Sequence, residues 1–177
     1  MMGKIREFFE AVWYVCRHGS DALFRDPLTG LYNRRFLEEA WRREVALAER
    51  QQEPFALVFF DLDGLKKVND ARGHTEGDRL LRMFAAAFRA SDLAVRWGGD
   101  EFVVLLSGTD VKGAERMVAR ITEALGSEVA FSHGIAVWGG ASLEDLVAAA
   151  SRALHHNREQ KAVREATGRV LKHLRRR

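Results

Sequence analysis

One cysteine, Cys16, and two prolines are all that the 177 residues contain of either. A lone thiol excludes an internal disulfide and any metal site built from several cysteines. Apolar runs are short as well: Leu57–Phe60, Met83–Phe88 and Phe102–Leu106 fall well below a membrane span. Near the N-terminus Lys4 and Arg6 lead into Glu7 and Glu10 rather than into an apolar stretch, so no signal peptide is expected. What is present is ordinary for a folded domain, with 47% hydrophobic and 30% charged residues, which argues against disorder as the main state. The chain is long enough for one domain with a substantial core and short for two. A soluble, cytoplasmic, single-domain protein is the expectation.

Charge is placed unevenly. The formal net charge is +3, yet Lys161, Arg164, Arg169, Lys172 and Arg175–Arg177 crowd the end against a single acid, Glu165. The remainder is net acidic, so the pI of about 9.3 belongs to the tail. We read residues 161–177 as a solvated basic helix end, which also suits the helix dipole. The competing reading is an interaction module that touches nucleic acid, a partner protein or an anionic surface through this tail; a nucleic-acid partner is not expected.

Ile5, Phe8, Phe9, Val12, Trp13 and Cys16 recur at spacings of three and four, the mark of an amphipathic helix. Gly19-Ser20-Asp21 interrupts that pattern, and Asp26-Pro27 with Gly30 marks a turn. Residues 1–25 therefore read as an appendage that packs on its own domain or pairs with a second chain. Asn33 suits the cap of a helix reaching about Arg50, with Phe36, Leu37, Ala40, Trp41 and Ala48 inward. Phe55–Asp61 reads as a buried strand ending in acid, followed by a helix over about 77–90. Ala94–Trp97 and Phe102–Leu106 flank Gly98-Gly99-Asp100-Glu101, a hairpin signal. A helix over 111–125, a strand over 129–138 and a helix from 142 to 158 or beyond complete the pattern. Strands alternating with helices predict an α/β or α+β sheet with helical cover.

Two acidic clusters fall where strands end, Asp61-Leu62-Asp63 and Asp100-Glu101. Carboxylates gathered at neighbouring strand ends offer hard oxygens suited to Mg²⁺, and such ions neutralise charge in phosphoryl or nucleotidyl transfer. Taken singly, either cluster reads equally as solvated turn residues. Lys66 and Asn69 add a phosphate charge and an amide able to read a base edge.

The run from Phe60 to Asp78 (FDLDGLKKVNDARGHTEGD), the run from Arg96 to Phe102 (RWGGDEF) and the opening Asp26–Arg35 (DPLTGLYNRR) together resemble the GGDEF family of diguanylate cyclases. The resemblance covers about residues 26–158, within a domain we place at 26–160. It implies an α/β (α+β) fold similar to nucleotidyl-cyclase and polymerase palm domains, with a central, mostly antiparallel sheet surrounded by helices. It implies that two GTP molecules condense into cyclic di-GMP and pyrophosphate, with Mg²⁺ or Mn²⁺, in a homodimer that brings two chains face to face. Carried over by motif position, Asp61 and Asp100 hold metal by side chain and Leu62 by its carbonyl. Glu101 helps to activate the attacking 3′-hydroxyl or binds a second metal. Gly64, Leu65 and Lys66 hold phosphates, Asn69 and Asp78 read guanine, and Asp63 and His74 are structural supports.

Arg89-Ala90-Ser91-Asp92 is followed by five residues and then Gly98, the spacing of the family's product-inhibition site, and Arg116 and Arg120 match positions that supply it with further arginines. Near the end of the domain the sequence departs from the family pattern. Arg158 keeps a charge where a phosphate-binding lysine is usual, Lys161 replaces a glycine, and Ala162 replaces an arginine. The lost glycine predicts that the last helix runs on into the tail. Leu65 stands where phenylalanine is common, and the link from Leu125 to Ser132 is short. His155 and His156 lack spaced partners for zinc. The altered 158–162 region leaves one alternative function open, an inactive domain that serves as a receptor for cyclic di-GMP or GTP.

Overall fold

The chain is described by a computed structural model that covers the backbone of residues 23–174 and the side chains of residues 23–163. The amphipathic segment Ile5–Cys16, expected to assist dimerisation, lies outside the described residues, as do the side chains of most of the basic tail.

The central strand β2, Phe55–Leu62, is apolar at every position but Asp61. A strand presents alternate residues to opposite faces, so a run of this kind needs cover on both. Ala56, Val58, Phe60 and Leu62 enter one core with Leu81, Phe84, Met117 and Ile121. Phe55, Leu57 and Phe59 enter the other with Leu37, Val103, Leu146 and Leu154. Phe60 anchors the first core, meeting Phe84, Phe88 and Phe131 edge-on at ring-centre distances of 5.5, 5.9 and 5.7 Å. Trp41 meets Phe55 at 5.5 Å in the second.

The remaining elements are β1 (Tyr32–Asn33), α1 (Arg34–Gln51), α2 (Leu65–Arg72), α3 (His74–Ala86), β3 (Leu93–Arg96), β4 (Glu101–Ser107), α4 (Val111–Leu125), β5 (Phe131–Val137) and α5 (Leu143–Leu174). The sheet order is β1-β3-β4-β2-β5. Every pairing is antiparallel except β1 with β3, so the expected architecture stands.

Asn33 caps α1 as its sequence predicts, its side-chain oxygen accepting from the Phe36 N–H at 3.1 Å. Several boundaries differ from expectation. Tyr32–Asn33, read as turn and cap, also forms a short strand beside β3. α2, not expected at all, buries only Leu65, too thin an apolar stripe to register as helical periodicity. α3 starts at His74 rather than Gly77 and ends at Ala86 rather than about Ala90. The last helix continues beyond 158 without a break, as the missing glycine predicts.

Gly134 fixes how α5 lies on the sheet. A Cβ there would overlap the Ala150 carbonyl oxygen and the Leu154 N–H nitrogen, both backbone atoms of α5. The helix therefore rests directly on β5, and Arg158, one turn beyond buried Leu154, is carried to the end of β2.

Candidate active site and a second, arginine-lined pocket

Register brings the two acidic clusters together. In the β2–β4 pairing Asp61 stands opposite Glu101, and the Leu62 N–H donates to the Asp100 carbonyl at 3.1 Å. Burial raises the Glu101 carboxyl above its ordinary range, and the neighbouring carboxylates of Asp61 and Asp100 push it further, against a smaller opposing effect from His155. Like charges are thus held close at one end of the sheet.

The hairpin that carries Asp100 and Glu101 is pinned from outside. Arg96 donates to the Gly99 carbonyl at 2.7 and 3.2 Å and grips both carboxylate oxygens of Asp26 at 3.1 Å. Asp26 also accepts from the Thr29 amide and hydroxyl at 2.8 and 2.6 Å. Burial alone would raise the Asp26 carboxyl, but the Thr29 and Arg96 bonds outweigh it and hold the group below its usual range. Sequence reasoning missed this pair, although both residues sit in the motifs it singled out. Gly98 and Gly99 do not adopt left-handed backbone. Their value is space: a Cβ on Gly98 would crowd a Glu101 carboxylate oxygen at 3.0 Å, and Gly99 faces nothing within 4 Å.

Beyond β2 the chain turns through Gly64, whose φ of 77° is left-handed, into the start of α2. The first amides of that helix have no intrahelical acceptor, which places N–H donors at Gly64, Leu65 and Lys66 beside the acidic end. Leu65 is buried and Lys66 exposed. Half-buried Asn69 follows on α2 and half-buried Asp78 on α3. The Asn69 side-chain oxygen is buried with no hydrogen-bond partner among the described residues, and a Cβ on Gly77 would overlap it. Gly77 therefore makes the room that Asn69 occupies. His74 is exposed at the first position of α3.

Arg158 reaches across from α5. One guanidinium nitrogen donates to Asp61 and to Asp63, each at 2.6 Å, while Nε meets the Ser132 hydroxyl at 3.2 Å. Ser132 in turn donates to Asp63 at 2.8 Å, which ties Asp63 into the same network. Burial lowers the Arg158 guanidinium, but its bonds to Asp61 and Asp63 dominate and leave it raised overall. Lys161 stands 3.8 Å from Asp63. A cavity of about 380 Å³ opens beside this group, lined by Phe131, Ser132, His133, Asn157, Arg158 and Lys161.

Carboxylate side chains and a strand-end carbonyl at Leu62 are the hard-oxygen donor set that Mg²⁺ or Mn²⁺ takes. The mutual repulsion felt at Glu101 is what a divalent cation would relieve, so the residues fit such an ion. Among the described residues no three His, Cys, Asp or Glu side chains stand in a ready-made metal cluster.

The four residues singled out for a second site do converge. Asp92 accepts from the Arg89 N–H at 2.8 Å and from Arg120 at 2.9 Å, and Arg120 also donates to the Ala87 carbonyl at 2.9 Å. With Arg116 they line a polar cavity of about 340 Å³ between the β3 approach and α4. No side-chain ion pair joins Arg89 to Asp92 among the described residues. Asp92 instead closes a turn and holds Arg120, leaving the Arg89 side chain exposed.

A family model described as diguanylate cyclase, GGDEF domain, matches residues 23–164. The chain is 36% identical over 167 residues to diguanylate cyclase DosC of Escherichia coli strain K12, covering 85% of this chain and 35% of that protein. It thus spans about a third of the length of the curated relatives it matches. Diguanylate cyclase SiaD of Pseudomonas aeruginosa, solved in complex with its activator SiaC, superimposes with a TM-score of 0.71 at 32% identity, over 90% of this chain and 68% of that one. The coiled coil and GGDEF domain of DgcB from Caulobacter crescentus, solved with c-di-GMP, gives 0.81 at 22% identity, over 90% and 93%, a likeness of fold.

Proposed function

The chain belongs to the GGDEF-domain diguanylate cyclase family, and we propose that it condenses two GTP molecules into cyclic di-GMP. In each of two steps the 3′-oxygen of one nucleotide attacks the α-phosphorus of the other, pyrophosphate leaves, and the hydroxyl proton is taken up by a base. Each GTP occupies one chain, so the reaction needs a homodimer with two sites face to face. The observation that carries this reading is the cross-strand pairing of Asp61 with Glu101, where carboxylates repel one another next to the open amides of a helix N-terminus.

Asp61, Asp100 and Glu101, with the Leu62 carbonyl, hold Mg²⁺ or Mn²⁺. When bound, the ion supplies positive charge against the triphosphate and the developing charge at phosphorus. The Gly64 and Leu65 amides and the Lys66 ammonium hold phosphate oxygens. Glu101 is the base for the 3′-hydroxyl. Asn69 and Asp78 read guanine. A carboxylate accepts from N1–H and the C2 amine of guanine, donors that adenine lacks. Arg89, Asp92, Arg116 and Arg120 bind the product and restrain the enzyme, with guanidinium forks meeting phosphates and guanine edges.

The test is purified protein, stripped of co-purified nucleotide, incubated with GTP and Mg²⁺ and resolved by HPLC. Cyclic di-GMP accumulating with turnover supports the cyclase, and Asp100→Ala and Glu101→Ala should each abolish it while the fold is kept. Full activity in either variant would sink the site assignment. No turnover with retained cyclic di-GMP binding would replace the cyclase by a receptor, the reading that Arg158 lying on Asp61 favours.

A further inference from the structure

We infer that Arg158 is a displaceable stand-in for the divalent cation, occupying Asp61 until nucleotide arrives to draw the guanidinium away. This rests on the reading above that Asp61 is a metal ligand. Its own grounds are geometric. A single nitrogen of Arg158 bridges Asp61 and Asp63, at 2.6 Å to each, so one cation spans two anions as a metal ion would. These are charge-assisted bonds of the strong class, yet the Arg158 side chain keeps 37% of its surface exposed. It is neither sealed in nor free.

The backbone beneath it is fixed. α5 is seated by the close approach at Gly134 and by buried Ala150 and Leu154. The mobile part is the long arginine side chain, which can swing from carboxylate to phosphate without moving the helix. Lys161, 3.8 Å from Asp63, is placed to hold that carboxylate once Arg158 departs. Asp100 and Glu101 form no salt bridge among the described residues. The latch therefore covers only the β2 side of the acidic set.

The consequence is a linkage between the two ligands. A cation arriving alone must evict a guanidinium that has nowhere equivalent to go. A cation arriving with a triphosphate brings the oxyanions that Arg158 needs, so nucleotide and metal bind together better than either does alone.

Mn²⁺ alone, titrated into nucleotide-free full-length chain and followed by electron paramagnetic resonance of the free ion, reads this without turnover. Arg158→Gln should bind Mn²⁺ about tenfold tighter than wild type. Arg158→Lys should lie between them, because an ammonium keeps the charge but lacks the Nε that anchors Arg158 on Ser132. Adding Asp61→Asn to Arg158→Gln should remove the gain. Mn²⁺ should also raise the unfolding midpoint of Arg158→Gln more than that of wild type. Equal, weaker or absent Mn²⁺ binding in folded Arg158→Gln overturns the proposal. Should that variant not fold, unchanged affinity in Arg158→Lys overturns it equally. Wild-type turnover of GTP decides the cyclase reading separately, so a failed latch with cyclic di-GMP still produced leaves that reading standing.

Discussion

Two ends of this molecule are built around an arginine bonded to an aspartate, and they carry opposite charge balances. At the end of β2, Asp61, Asp63, Asp100 and Glu101 outnumber Arg158 and Lys161. In the pocket beside α4, Arg89, Arg116 and Arg120 outnumber Asp92 and Asp110, and the Asp110 side chain is already committed to capping its helix. The local motif is the same, and the surplus decides the ligand. On the function proposed above, the first surplus would take a cation and the second an anion. An ion pair therefore says little about function until its unpaired neighbours are counted.

The contrast can be broken most severely from the acidic side. Glu101→Gln should lower cyclic di-GMP formation by at least about 10³-fold, the scale of removing a group that acts at the transition state. Calorimetric binding of cyclic di-GMP at the arginine pocket should stay within about twofold. Arg89→Ala is the opposite break. Losing a charge-assisted contact worth roughly 1.5–3 kcal/mol should weaken cyclic di-GMP binding about 10- to 150-fold.

A finer change is Gly77→Ala, which puts a methyl group where the Asn69 oxygen lies. Asn69 must move, and the KM for GTP should rise about tenfold with little change in circular dichroism. An unchanged KM would remove Asn69 from guanine recognition.

The smallest expected effect concerns His133, beside Arg158 and Lys161 in the cavity at the acidic end. Burial lowers its imidazole, Glu115 opposes this and Lys161 reinforces it. The unfolded imidazole titrates near 6.5, so between the two values the unfolded chain binds more protons and stability falls as pH drops. His133→Gln should lessen the fall in melting temperature between pH 7 and pH 5 by roughly 1–4 °C. An identical pH dependence in both chains would show that the imidazole is not held neutral.

Much of this was legible in the sequence, for definite reasons. β2 and β4 announce themselves because an unbroken apolar run has no place except in a doubly covered sheet. The gathering of Arg116 and Arg120 with Asp92 was implied by the family resemblance, and their spacing of four residues on one helix face makes it physically possible. α2 escaped because LKKVNDAR offers only Leu65 to the core, so its helicity rests on its place between Gly64 and Gly73 rather than on periodicity. Contacts between distant residues escaped for a different reason. Arg96 reaches Asp26 across 70 positions and Arg158 reaches Asp61 across 97. Nothing local marks either partner, since which charges meet is settled by strand register and by the seat of α5 on Gly134.

Strand order has a consequence in time as well as in space. β2 pairs only with strands that follow it, first β4 and then β5, and its counter-charge lies 97 residues downstream of Asp61. At synthesis rates of about 5–20 residues per second, roughly 5–20 s separate the emergence of Asp61 from that of Arg158. For that interval the acidic tip lacks its cation, although the apolar strand gains β4 and then β5 before Arg158 is made. The nascent protein thus has a vulnerable period written into its topology, one that closes only when α5 is translated.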